Sequence, residues 1–213
     1  FLLFSPLYYA YSTTKYSENH ALRFLRGLAR LAHRQKWEKD ERTAALFLGV
    51  KFFFLPVMLD FFLTNLFSLG NEATLYPFLL SLLFTLDTLI FTLGYSFESK
   101  ALGNGIRSVE PTLFGWVVAL VCYPPFNSLV GRYIPWGAND YADFGNPLMT
   151  IIARGMVVLL LIIYVWASVA LGLKASNLTN RGIVRKFPYS IVRHPAYISK
   201  ISIWWLTLLP VMT

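Results

Sequence analysis

Residues 177–200, NLTNRGIVRKFPYSIVRHPAYISK, gather the side chains best able to hold a ligand. Arg193 is a fixed cation, His194 a titratable ring, and Tyr197 an aromatic face with a hydroxyl. Pro195 favours the first turn of a helix. The backbone N–H groups of that turn have no intrahelical partner and point toward any anion beside them. A small anionic or zwitterionic ligand fits this chemistry. Pro188 and Tyr189 precede the cluster. No metal is expected, because the single cysteine, Cys122, lies in an apolar block and no Cys/His cluster exists. One cysteine also leaves no disulfide within the chain.

A second set of polar residues sits where water is scarce. Lys51, Asp60, Asp87 and Arg154 fall inside long apolar blocks. A charge there costs about 2.5 kcal/mol or more on insertion scales, so each needs a partner or a wet cavity. Lys51 and Arg154 lie near block ends, where their stems can snorkel. Asp60 lies toward the outer end of its block, whereas Asp87 lies near the middle. Its three readings are a proton relay, a contact to a polar substrate group, and a buried partner for a neighbouring helix. Trp204 and Trp205 have two readings, the lining of a substrate path and the interfacial aromatic belt.

The elements that must carry these residues are membrane helices. The chain of 213 residues is 56% hydrophobic and only 14% charged. A soluble globule needs about 25% charge. The net charge of +8 could indicate nucleic acid. The basic residues instead cluster in short loops between apolar blocks, the pattern of a face turned to anionic lipid, and no nucleic-acid partner is expected. Blocks at 43–66, 75–97, 111–130 and 148–173 approach the roughly 20 residues of a span. The third is broken by Pro124-Pro125. Residues 1–11 read as the tail of an earlier span. Residues 201–213 read as a span cut short or one limb of a helical hairpin. The expectation is an all-α, polytopic membrane protein with about five transmembrane helices and a cytosol-facing loop/helix motif. Both ends look like cuts in a longer polypeptide.

Charge orients the chain. Segment 12–43 holds eight cations: Lys15, Arg23, Arg26, Arg30, Arg34, Lys36, Lys39 and Arg42. Segment 98–110 adds Lys100 and Arg107. Segment 174–200 adds Lys174, Arg181, Arg185, Lys186, Arg193 and Lys200. Four spans put all three on one side, which the positive-inside rule makes cytosolic. Within the basic segment 19–40, residues 21–34 read as an amphipathic interfacial helix. Arg23, Arg26, Arg30 and Arg34 share one face, and Leu25, Leu28, Leu31 and Ala32 lie opposite. The chain divides into N-terminal transmembrane helices, 1–147, and a core, 148–213.

In that core, Arg193-His194-Pro195-Ala196-Tyr197 follows Pro188-Tyr189 across the spacer Ser190-Ile191-Val192. This resembles the RHPxY signature of the isoprenylcysteine carboxyl methyltransferase family, whose superfamily also includes phospholipid N-methyltransferases. The usual form has glycine before Pro-Tyr, where this chain has Phe187. The resemblance implies S-adenosylmethionine bound at the cytosolic end of the helices by Pro188, Tyr189, Arg193, His194, Pro195 and Tyr197. It implies a lipid-like or prenylated acceptor entering from the bilayer, with Asp87, Trp204 and Trp205 along its path. No catalytic residue is assigned. A carboxylate acceptor is favoured, because no poised base other than His194 is visible and an amine must first lose a proton. The family completes its pocket with a later segment of paired glutamates and aromatics. The alternatives are a non-catalytic membrane subunit and a lipid or sterol reductase using a nicotinamide cofactor.

Overall fold

The computed structural model describes residues 20–98, 102–134 and 138–212; the run 1–11 lies outside them. The described chain is mostly helical. Its helices are α1 (His20–Ala32), α2 (Lys39–Leu69), α3 (Leu75–Ser96), α4 (Leu113–Leu120), α5 (Phe126–Gly131), α6 (Pro147–Leu171) and α7 (Pro195–Met212). Two short strands, β1 (Ser108–Val109) and β2 (Thr179–Asn180), pair antiparallel. Of these helices α2, α3 and α6 are long and apolar enough to cross a membrane.

Local chemistry sets their ends. A reciprocal capping box between Glu38 and Glu41 starts α2. The Asn146 side chain accepts from the Leu148 and Met149 N–H groups to start α6, with Pro147 in its first turn. Along α3 a stripe of hydroxyls closes back on its own helix. Thr85, Thr88, Thr92 and Ser96 each donate to the carbonyl four residues earlier. That satisfies polar groups which lipid cannot.

Helices α3 and α6 run parallel. Leu80 packs with Val157 and Leu161, Asp87 meets Tyr164 and Ser168, and Gly94 approaches Leu173 and Ala175. The chain must therefore return to the start of α6 after leaving α3. The block 111–130 makes this return as two short helices, not one. Pro124 and Pro125 carry no N–H and disfavour helix before them, so the ladder breaks between α4 and α5. This passage climbs beside α2: Trp116 lies at Gly49, and the Tyr123 and Phe126 rings lie 5.2 and 5.9 Å from Phe54 and Phe53. It reaches the opposite end, where the Tyr76 hydroxyl donates to the Asp140 carbonyl at 2.6 Å.

Segments carrying the basic clusters meet at one end of the bundle. His20 reaches Glu98 at 3.3 Å, and Arg107 N–H donates to the Asn180 carbonyl at 2.8 Å. Arg181 donates to the Gly94 and Leu173 carbonyls at 2.6 and 2.9 Å. The amphipathic helix departs from its expected form. It ends at Ala32, and Arg34 lies beyond it with φ of 58°. Helix α1 runs antiparallel beside the first turns of α2. Two of its arginines face acids there: Arg30 reaches Glu38 at 2.7 Å and Glu41 at 3.0 Å, and Arg23 reaches Asp40 at 3.9 Å. Leu22, Leu25, Leu28 and Leu31 stay exposed.

A methyl group at Gly94 would sit 2.5 Å from the Ala175 carbonyl, so only glycine lets α3 approach this backbone. Gly94→Ala is expected to destabilise the fold by about 1–3 kcal/mol. Gly155→Ala, where nothing lies within 4 Å, is expected to be neutral or to stabilise by up to about 1 kcal/mol. Denaturant unfolding in detergent checks both, and equal effects would contradict the close approach.

Candidate functional site

The β1–β2 ribbon follows from the ends of α3 and α6. Arg181 is almost fully buried and binds a carbonyl from each of those ends. Helix C-termini offer unpaired carbonyls and a negative dipole end, which a guanidinium matches. The ribbon is completed when the Glu110 N–H donates to the Leu178 carbonyl at 2.8 Å. The Asn177 N–H donates to the Tyr95 hydroxyl at 2.5 Å, and the Asn177 amide to the Tyr123 hydroxyl at 3.1 Å. Ser176 and Thr179 share a hydroxyl hydrogen bond. Leu178, with φ of 58°, makes the turn that aims these polar groups to one side.

They aim into a cavity of about 1410 Å³ between the start of α2, the ribbon, α4 and α7. This exceeds the roughly 300–1,000 Å³ of ordinary ligand pockets. Lys39, Arg42, Arg107 and Lys200 make its polar wall basic, with Glu110 as an acid among them. Tyr123, Tyr197 and Trp204 give it aromatic faces. Cations pair with an anionic group, and aromatic faces accept a flat ring or an organic cation. The arrangement suits a zwitterionic ligand that carries a ring.

Helix α7 begins at Pro195, and Tyr197 brings the RHPxY segment to this outer cavity. The other five residues predicted to hold the donor, Pro188, Tyr189, Arg193, His194 and Pro195, do not line it. Arg193 and His194 are exposed at the start of α7, with the His194 ring 5.8 Å from Tyr197 in an edge contact. Pro188 and Pro195 are buried and fix the loop. Tyr189 is half-buried, and burial followed by the neighbouring Tyr197 pushes its phenol up to about 12. Phe187, at the family's glycine position, packs on Trp166 of α6 at 5.0 Å.

A smaller chamber of about 210 Å³ lies deeper, among α2, α3, α6 and α7. Asp87, Tyr164, Asn65 and Asp140 line it, and Tyr123, Lys200 and Trp204 lie on its wall as well as on the outer cavity's. Asp87 accepts from Ser168 at 2.5 Å and Tyr164 at 3.0 Å. It is thus a partner for a neighbouring helix, as one reading expected, and it also faces a cavity. Interhelical hydrogen bonds in membranes average about 0.6 kcal/mol. Two of them fall short of the roughly 2.5–3.5 kcal/mol that an intramembrane aspartate costs. Burial pushes the Asp140 carboxyl up, with Lys200 opposing.

The remaining candidates lie elsewhere. Trp205 is exposed and lines neither cavity, which suits the aromatic belt. Asp60 is exposed, Arg154 lies over the Tyr76 ring at 5.1 Å, and Lys51 lies over the Phe47 ring at 5.0 Å. Among the described residues no cluster could hold a metal. Sequence reasoning missed the cavity's polar wall, Asn177, Asn180 and Arg107, and it missed Lys200 as a lining residue. The chain matches no family model, no curated protein and no solved structure.

Glu98 lies just past the end of α3 and meets His20 of α1 at 3.3 Å. Burial raises its carboxyl, but His20, Lys51 and the Ile106 N–H outweigh that and hold it below the ordinary carboxylate range. A depressed carboxyl contributes stability that is present above its unfolded value, about 4.3. That contribution is lost as pH falls through the lower folded value. The melting temperature should therefore fall below about pH 4. Glu98→Gln should lower it at neutral pH and flatten the acid limb. Thermal melts from pH 3 to 7 read this out, and parallel wild-type and variant curves would refute it.

Proposed function

We propose that this chain is a membrane-embedded, S-adenosylmethionine-dependent methyltransferase acting on a lipid-like acceptor. The observation that carries the reading is the RHPxY segment, which opens α7 at the mouth of a basic, aromatic cavity, with Tyr197 on the wall. The donor's carboxylate suits the cations Arg107 and Lys200 on the cavity wall, and Arg193 is added by the motif alone. Its sulfonium and purine suit the faces of Tyr197, Tyr123 and Trp204. When bound, the donor supplies an electrophilic methyl group. The residues of this chain orient it and exclude water. Asn177 and Asn180 add amide groups that can bond a ribose or a purine edge.

Topology supports the same reading. Counting the broken passage through α4 and α5 with α2, α3 and α6 brings the proposed crossings among the described residues to four. The end where Lys39, Arg42, Arg107 and Arg181 gather is the cytosolic one by the positive-inside rule. A water-soluble donor then enters from the cytosol, and the acceptor's tail stays in the bilayer.

Calorimetric titration of the protein in lipid nanodiscs tests the donor. S-adenosylhomocysteine is expected to bind, and a nicotinamide dinucleotide is not. Arg193→Ala and Tyr197→Ala are each expected to weaken binding at least about tenfold, the loss of roughly 1.4 kcal/mol. Nucleotide binding in place of S-adenosylhomocysteine would turn the reading to a reductase, and binding of neither to a non-catalytic subunit.

A further inference from the structure

The inner chamber has a charge pattern opposite to that of the outer cavity. Two carboxyl groups, Asp87 and Asp140, face it, against one ammonium, that of Lys200. Among the described residues Lys200 has no carboxylate within ion-pair distance. Its ammonium instead lies over the Tyr164 ring at 5.9 Å and the Trp204 ring at 5.4 Å. The chamber wall thus already holds one organic cation by aromatic faces, the recognition mode used for ammonium ligands. Phe84, Phe91 and Tyr123 extend these faces. At about 210 Å³ the chamber is smaller than ordinary ligand pockets, so it takes a headgroup and leaves the rest of a lipid outside.

We propose that the inner chamber binds the amine headgroup of an amphiphile, with Asp87 as its counter-ion. The binding stands on the chamber alone. The step that follows rests on the methyl-transfer reading above and names an amine, not a carboxylate, as the acceptor. The sequence points to a carboxylate because no poised base other than His194 is visible in it. The structure places a carboxylate in the chamber, oriented by Tyr164 and Ser168. The ammonium of the bound headgroup gives a proton to Asp87. The freed nitrogen lone pair forms the N–CH₃ bond as the C–S bond of the donor breaks. The bonding electrons return to sulfur, leaving a neutral thioether. Tyr164 and Ser168 are positioning residues in this step, because they act through Asp87.

Binding of radiolabelled hexylamine and hexanoate to nanodiscs, with protein-free nanodiscs subtracted, tests the chamber. Hexylamine is expected to bind more tightly than hexanoate. Asp87→Asn keeps the shape of the side chain and one of its two accepting oxygens, removes the negative charge, and should weaken amine binding at least tenfold. Lys200→Met removes the competing ammonium and should strengthen amine binding several-fold. Tighter binding of hexanoate, weakening by Lys200→Met, an unchanged Asp87→Asn variant, or no binding above the protein-free background would each overturn the proposal. Amine binding with no affinity for S-adenosylhomocysteine would keep the chamber and remove the methyl-transfer reading. The reverse pattern would keep the enzyme and remove the amine site.

Discussion

The fold depends on one cation that joins two helix ends. Arg181 donates to the Gly94 carbonyl at the end of α3 and to the Leu173 carbonyl just past α6. Lipid offers no driving force for helix association of the kind water supplies, so packing and polar contacts must hold the helices. Here α3 and α6 run parallel and end at the same level, which leaves two sets of unpaired carbonyls side by side. A guanidinium, with several donors in a fixed plane, can serve both. Because Arg181 directly follows β2, the same contact fixes the ribbon, and the ribbon forms one wall of the outer cavity. The absence of a side chain at Gly94 is the steric counterpart: it lets the Ala175 backbone come close enough for the bonds to form.

Long-range architecture was legible where it depended on apolar length. The blocks at 43–66, 75–97 and 148–173 became α2, α3 and α6, with the ends extended by caps at Glu38 and Asn146. The restart of helix at Pro195 was legible too, since proline favours a first turn. Other features depend on pairings between distant residues. Arg181 reads in sequence as one more loop cation, and only the meeting of 94 with 173 gives it a role. The β1–β2 ribbon, two residues per strand, leaves no alternating pattern. The pattern of 21–34 reads as an interfacial helix, and the pairing of Arg23 and Arg30 with acids at the start of α2 is not visible in that pattern.

Legibility of the site divides along the same line. The local motif predicts a ligand-binding helix start, and of its residues Tyr197 lines the outer cavity. Arg193 and His194 are exposed just before that helix and line neither cavity. Lys200 was counted only as a loop charge, although it lies one turn beyond Tyr197. That spacing puts Tyr197, Lys200 and Trp204 along one face of α7, which both cavities share. Asp87 was singled out by cost alone, and its partners on α6 could not be named without the parallel packing of α3 and α6.

On the proposed reading, the two cavities would answer a problem that any enzyme joining a soluble and a greasy ligand must solve. The reacting groups have to meet where neither partner leaves its own solvent completely. On that reading the basic outer cavity would draw a charged, water-soluble molecule to the boundary. The narrow inner chamber would admit a headgroup and leave its tail outside. Tyr123, Lys200 and Trp204 are common to both walls, so reacting atoms from the two sides would come together beside them. Lysine suits that position for a physical reason. Its long apolar stem can lie along the helix face while the ammonium lies on the aromatic rings. It then partly offsets the chamber's acids without closing an ion pair that an entering ligand would have to break.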